Sequence, residues 1–227
     1  MEKKMSRRDF LKASAATGAI LSMVPNISLA QEPKPIQLSK PQIGSGTSLM
    51  QLLSKRTSSR KFSPEPLPVE VLSNLLWAGF GISRPNGKRT APTAMNWQDI
   101  DIYIILPDGL YLYDAKANQL KLLLAEDLRA LAGTQTYVKT APVNLIYVSD
   151  YAKLGGKMKI SEEAKLLYSG VHTGAIAENI YLYCASEGLA TVVRALIDMP
   201  ALAKAMKLLP DQKITLAQSV GYPSKTP

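Results

Sequence analysis

One cysteine and one histidine are all that 227 residues contain, and these two scarcities close off several kinds of chemistry. A lone Cys184 excludes an intramolecular disulfide, so stability must come from a packed core or from a partner subunit. It lies at helical spacing among apolar residues and reads as a small buried hydrophobe. With His172 standing alone and no cluster of Cys, His and acids at ligand spacing, neither a structural nor a catalytic metal site is expected. His172 itself reads as a packed or subunit-facing residue rather than a proton donor. No apolar run reaches the ~20 residues needed to cross a bilayer core of ~30 Å, so no stable membrane anchor is expected. Acids are also in short supply, 18 Asp and Glu against 27 Lys and Arg, for a net charge of +9. Such an excess can steer anions, whether phosphate-bearing cofactors, acidic substrates or a membrane surface. It does not point to nucleic acid, because no basic strand studded with aromatics and no zinc spacing accompanies it. Internal repeats and low-complexity blocks are absent as well.

What is present begins with a leader. Residues 1–30 have a basic start, an apolar run over 13–24, and the small residues Ser28 and Ala30, the pattern of a cleavable export signal. Within it, Ser6-Arg7-Arg8-Asp9-Phe10-Leu11-Lys12 resembles the bacterial twin-arginine signal S-R-R-x-F-L-K at every defined position. That route is known for carrying folded proteins, often with a cofactor already inserted, so a periplasmic or otherwise exported location and a bound cofactor are expected. Five Lys/Arg and two acids belong to the leader, which leaves +6 on residues 31–227. At that length one domain with a core of ordinary size is expected.

Residues 31–46, rich in Pro, Lys, Gln and Ser, read as an extended arm ordered by packing on something else. Residues 47–227 form the domain. Leu49, Leu52 and Leu53 at i, i+3, i+4 predict a helix over 48–54, and a second is predicted over 71–80, with Pro68 at its first turn. A long loop follows over 79–98. Alternating β-rich runs at 100–106, 110–113 and 119–124 predict a meander, turned first at Pro107-Asp108-Gly109. A short helix is expected over 126–132, and PVNLIYVS at 142–149 reads as a strand buried on both faces. The longest helical pattern runs over 161–187, started by Ser161 and stopped by Gly188. Gly170 and Gly174, one turn apart inside it, suggest close approach of another backbone, either a second subunit's matching helix or an element of the same chain. A buried strand over 189–193, a short helix over 200–207 and a last strand over 213–220 complete an α+β reading: a central mixed, mainly antiparallel sheet flanked by helices.

Between the first two helices lies KRTSSRKF, residues 55–62. Arginine presents a planar fork to a phosphate, and Ser or Thr hydroxyls fill the oxygens the forks leave over. Arg56, Thr57, Ser58 and Arg60 offer both kinds of donor at a helix end. By itself such a run is usually a solvated basic face.

Several separated segments then line up with one pattern. KRTSSRKF followed by SPEPLPVEVLSNLLWAG is similar to the R-x-S-x-R-x-[FY] and P-x-P-x-E-x-L-x-x-L-L-x-A of the FMN-dependent nitroreductase family, including its branch of SagB-type dehydrogenases. APTAMNWQDI resembles that family's A-P-S-x-x-N-x-Q-P-W loop, with Asp99 and Ile100 in place of Pro-Trp. GTQTYVKTAPVNLIYV is similar to its G-x-Q-x-[FY]-x-x-x-A-P before the central strand, and EGLATVVRALID stands at the place of G-L-G-S-x-W-I-G-G-F. The chain ends in a family-like G-Y-P, with the trailing basic segment reduced to Lys225.

The resemblance implies a dimeric nitroreductase-like fold and FMN as cofactor. Carried over by position, Arg56, Ser58 and Arg60, with Thr57 beside them and Lys225 as an extra ligand, would hold the phosphate. Pro92, Thr93, Ala94 and Asn96 would meet the ring and ribityl chain, and Val193, Arg194 and Ala195 the isoalloxazine edge. It implies an exported oxidoreductase reducing or dehydrogenating a small organic molecule by ping-pong hydride transfer, in a homodimer whose subunits share each site. No catalytic acid/base residue is then required. Because NAD(P)H is a cytoplasmic cofactor, a quinol, a partner protein or the substrate itself is the expected donor. Arg194, if it faced the pocket, would favour an anionic or carbonyl-bearing substrate; otherwise it would pair with Glu187 or Asp198. A non-catalytic flavin-binding or electron-transfer protein and an azoline dehydrogenase remain as alternatives.

Overall fold

Ser48 opens the first helix through a capping box, its hydroxyl accepting the Gln51 N–H while the Gln51 side chain accepts from the Ser48 N–H. In the computed structural model, which describes residues 34–41, 46–156 and 158–224, this helix is α1 (Leu49–Lys55), and it has no buried residue. The leader and Lys225 lie outside the described residues. Helix α2 (Val69–Phe80) follows Pro68 and buries Leu72, Leu75, Leu76 and Phe80. Helix α3 (Glu162–Glu187) starts at Ser161, whose hydroxyl accepts the Ala164 N–H, and stops at Gly188. With φ 66° at Gly188, that stop takes the left-handed conformation that glycine adopts without steric cost. Asp198 caps α4 (Met199–Ala205) by accepting from the Ala201 N–H.

The strands are β1 (Ile36–Gln37), β2 (Ile100–Leu106), β3 (Gly109–Asp114), β4 (Gln119–Leu124), β5 (Val143–Asp150), β6 (Ala190–Arg194) and β7 (Gln212–Gly221). They form one seven-stranded sheet in the order β1-β4-β3-β2-β5-β7-β6. Every pairing is antiparallel, the limiting case of the mainly antiparallel sheet expected. Strand β5 is buried along nearly its whole length because both faces are covered. On one face Leu145 and Tyr147 pack with Leu75, Leu76, Phe80, Ile176 and Ile180 of α2 and α3. On the other, Ile146 and Val148 pack with Leu128, Ala132 and Val138 of the 126–141 segment and Leu202 of α4.

Three features differ from the sequence reading. Residues 34–41 of the arm are placed by their own chain: Ile36 pairs with Leu120 and Leu38 is buried in the core. The 126–132 segment forms only a 3₁₀ turn at Arg129–Leu131, because Asp127 accepts the Arg129 N–H and ties up its guanidinium. At Gly170 and Gly174 an added Cβ would meet nothing within 4 Å, so among the described residues no element of the chain approaches the two glycines.

Candidate functional site

Strand β6 is the last strand of the sheet, and its outer edge organises the site. Arg56 ends α1 with its N–H on the Leu52 carbonyl, and the chain then turns along β6, where the Ser59 N–H donates to the Thr191 carbonyl at 2.9 Å. Further along that edge, the Val193 N–H donates to the Tyr181 hydroxyl of α3 at 2.9 Å. The same hydroxyl shares a 2.8 Å hydrogen bond with the Ser58 hydroxyl. Arg56 lies over the Tyr181 ring, its guanidinium carbon 5.3 Å from the ring centroid. If the Tyr181 O–H donates to Ser58, the Ser58 O–H is left to donate outward to an anion. Thr57, Ser58 and Arg60 are exposed, and Arg56 is half-buried. Among the described residues neither Arg56 nor Arg60 has a hydrogen bond or ion pair from its guanidinium within the chain, so two forks stand beside a hydroxyl with no counter-charge.

Past Phe62 the segment is clamped by the C-terminal residues. Phe62 bridges Pro223, the Ser63 N–H donates to the Tyr222 carbonyl, and the Ser224 N–H to the Lys61 carbonyl. An added Cβ at Gly221 would fall 2.7 Å from the Pro142 ring, which gives a packing reason for the Gly of G-Y-P meeting the Pro of A-P.

The loop bearing Pro92, Thr93, Ala94 and Asn96 is held elsewhere. The Ala94 N–H donates to His172 Nε2 of α3 at 2.8 Å, and the Gln98 N–H to the Thr93 hydroxyl at 3.1 Å. Arg89 Nε donates to Gln98 Oε1, and Trp97 stands edge-on to Tyr168 at 5.2 Å between centroids. His172 and Tyr181 are nine residues apart, about 13.5 Å along the axis and on opposite margins of the buried stripe of α3. The strands each margin reaches, β2 and β6, are separated by three inter-strand spacings, about 14 Å. Within one chain, then, Arg56, Ser58, Arg60 and Val193 come together, and residues 92–96 do not join them.

Arg194 is not in the open. Strand alternation puts Val193 on the α3 face and Arg194 on the opposite face, where its guanidinium donates to the Ala132 carbonyl, to Asn144 Oδ1 at 2.8 Å and to the Ser219 hydroxyl at 3.4 Å. Burial pushes its pKa down, to about 10, which leaves it charged at neutral pH. It pairs with neither Glu187 nor Asp198 and does not present its charge to a pocket, whereas Ala195 beyond it is exposed. Next to it, Gln135 Oε1 is buried and has no hydrogen-bond donor. It lies by Gly133, where an added Cβ would sit 3.0 Å from that oxygen and 2.5 Å from Arg194 Nη1. Burial drives the Cys184 thiol far up, consistent with an inert core residue. An apolar cavity of about 310 Å³ between β1, β4 and the start of α2 includes none of the candidate residues in its lining.

Sequence reading missed Tyr181, Gln135 and Asp99. Gln135 had a signal, since it stands in the G-x-Q-x-[FY] pattern; Tyr181 and Asp99 act through contacts 123 and 73 residues distant, which no local pattern carries.

An antiparallel sheet crossed by a long helix, with a basic hydroxyl-bearing segment clipped to its edge strand, defines a class, and comparison with known proteins gives the family. Residues 53–222 match the Nitroreductase family, and the chain belongs to it. Residues 4–23 match the twin-arginine translocation signal, so the protein is exported by that pathway, to the periplasm or beyond. A crystal structure of a nitroreductase-type protein from Ralstonia eutropha JMP134 superposes with a TM-score of 0.80 at 38% identity, covering 87% of this chain and 93% of that one. A protein of Methanocaldococcus jannaschii, named as a nitroreductase, is 29% identical over 154 residues, 63% of this chain and 76% of the relative. A Desulfovibrio desulfuricans structure in complex with FMN shares the fold, with a TM-score of 0.57 at 21% identity over 80% of this chain and 89% of that one.

Proposed function

We propose that the protein is an exported, FMN-dependent oxidoreductase acting on a small organic molecule as a homodimer. The carrying observation is the chain from Ser58 through the Tyr181 hydroxyl to the Val193 N–H, which fixes two uncompensated arginines at the open edge of β6. The residues present fit the cofactor. Arg56, Ser58 and Arg60, with Thr57 and Lys225, suit a phosphate, the backbone of residues 193–195 would meet the ring edge, and the orphaned Gln135 Oε1 is an acceptor suited to an imide N–H. The Desulfovibrio neighbour with FMN supports the choice of flavin. Motif form supports a place in the SagB-type branch.

Bound there, a flavin would supply two-electron hydride chemistry, and the protein supplies position, polarity and access. The chain offers no acid or base for it from its one histidine, since both ring nitrogens of His172 are engaged. Donor and acceptor then use one pocket in turn. Export favours a quinol, a partner protein or the substrate itself over NAD(P)H as donor. Protein expressed with its leader and exported is expected to be yellow, with one FMN that bleaches on dithionite; colourless protein would rule the reading out. Stopped-flow reduction by NADH, NADPH and a menaquinol analogue, followed by turnover with an acceptor, separates an enzyme from an electron carrier.

The second subunit enters through the separation of the two half-sites. Leu167 and Val171, 64% and 60% exposed, flank the open glycines of α3, and Leu49 and Met50 of α1 are exposed too. We assign this surface to a second copy, whose 92–96 loop completes the site. L167E/V171E is expected to elute as a folded monomer in light scattering and to lose flavin with it; a dimer of unchanged stability would contradict the assignment.

A further inference from the structure

The 93–98 loop is an unlikely shape for its sequence, and one buried pair accounts for its being kept. Met95, Asn96 and Gln98 have φ of 49°, 57° and 49°, three non-glycine residues in the left-handed region within four positions. Such backbone persists only where the surroundings over-determine it. Met95 is 75% exposed and gives no packing support, so restraint falls on Trp97, edge-on to Tyr168, and on the hydrogen bonds. One of these comes from deep inside: His172, 3% exposed, accepts the Ala94 N–H.

The protonation pattern of that bond follows from its partners. A backbone N–H only donates, so Nε2 carries a lone pair and the ring proton is on Nδ1. Nδ1 lies 2.6 Å from Asp99 Oδ1, and the other Asp99 oxygen accepts the Ser149 hydroxyl at 2.7 Å. Asp99 is wholly buried and is one of the two residues that depart from the family's Pro-Trp. The ionisable groups bonded to or stacked on His172 are Asp99, from the loop before β2, and Tyr168 of its own helix, at 6.1 Å between centroids. Strand β5 presents Ser149, which does not titrate.

We propose that Asp99 and His172 are a positioning pair for the cofactor loop. Asp99 holds the tautomer that leaves Nε2 bare, and Nε2 holds Ala94, so that Thr93, Ala94 and Asn96 keep the shape in which they meet the flavin. This rests on the flavin reading for its consequence, though not for its geometry. The other tautomer would set an Nε2–H against the Ala94 N–H, two donors face to face, and the loop would lose its tether.

Hydrogen exchange of residues 93–98 in flavin-free protein tests the pair, and FMN affinity tests its consequence. H172N keeps a donor toward Asp99 but is too short to reach Ala94, and its protection is expected to fall about tenfold, the equivalent of one lost hydrogen bond. FMN affinity should fall in parallel. H172Q places an amide oxygen near the position of Nε2 and should keep protection and affinity close to the wild-type level. H172N equal to wild type in protection, or H172Q reduced as far as H172N, overturns the proposal. If H172N fails to fold, H172Q decides: protection kept supports the pair and protection lost overturns it. Colourless protein with the expected exchange pattern would overturn the flavin reading and leave the pair standing.

Discussion

R56A/R60A is expected to bind FMN about 10² to 10⁴ times more weakly than the wild type while keeping its fold. The estimate takes ~1.5–3 kcal/mol for each charge-assisted hydrogen bond and one such bond lost per arginine. Arg60 is exposed and belongs at the low end; Arg56, half-buried over the Tyr181 ring, belongs at the high end. The fold should survive because neither guanidinium is bonded within the chain among the described residues and α1 buries nothing. It is the Arg56 backbone, not its side chain, that caps α1 at Leu52. R56K/R60K should recover part of the loss, since lysine restores charge but not the two-pronged fork. Flavin stoichiometry after gel filtration, a titrated Kd and a thermal melt separate the outcomes. Stoichiometric FMN in the alanine variant counts directly against the phosphate assignment, and a collapsed melt would instead show that the segment is structural.

How far the site could be read from the sequence depended on whether its signals were local. Helix α3 carries its own instructions: Ser161 caps it, apolar residues repeat at its period, and Gly188 ends it at φ 66°. Strand β5 is equally legible, an apolar run long enough for one strand and covered on both faces. The basic segment was visible as chemistry but not as geometry. Its attachment to β6 depends on Tyr181 and Thr191, and its far end on Tyr222 and Pro223, pairings that no neighbouring residue encodes. The partner of the arm's described residues was hidden for the same reason, because two residues of strand give no periodicity and β4 is over 80 positions away.

Asp99 and His172 show a different failure. The aspartate was noticed only as a departure from a family pattern and the histidine only as solitary. Two oddities in one chain, a carboxylate where none is usual and a single imidazole, are what a private pair looks like in sequence. The available rule, that a buried ionisable group requires a partner, would have linked them had burial been known. Residues 92–96 were placed with the flavin through resemblance, and their distance from Arg56 within one chain follows only from the width of the sheet. The two statements are compatible when a second subunit supplies the loop.

Arg194 allows the sharpest separation of a stability role from a substrate role. Position alone put it at the flavin edge, but strand alternation was legible beforehand: residues 191 and 193 share one face, and 192 and 194 share the other. A charge on the second face meets the 126–141 segment, and there the guanidinium satisfies Ala132, Asn144 and Ser219 with no carboxylate beside it. R194M keeps much of the volume and removes every donor. Asn144 Oδ1 retains the Ser219 hydroxyl at 2.7 Å, so the principal orphan is the Ala132 carbonyl. A buried unsatisfied acceptor costs ~1–3 kcal/mol, and the lost bonds to a charged group add a comparable amount. A net loss of ~2–4 kcal/mol lowers Tm by roughly 4–16 °C in a domain of this size, with exchange rising first over residues 128–141. The opposing effect is that burying a guanidinium is itself costly and an apolar replacement recovers that cost. An unchanged or raised Tm would mean desolvation wins, and the network would then be dispensable. In either case the side chain faces away from Val193 and Tyr181, so the ratio of KM for anionic to neutral acceptors should be the same in R194M and wild type. A selective loss of anionic acceptors would return Arg194 to the pocket.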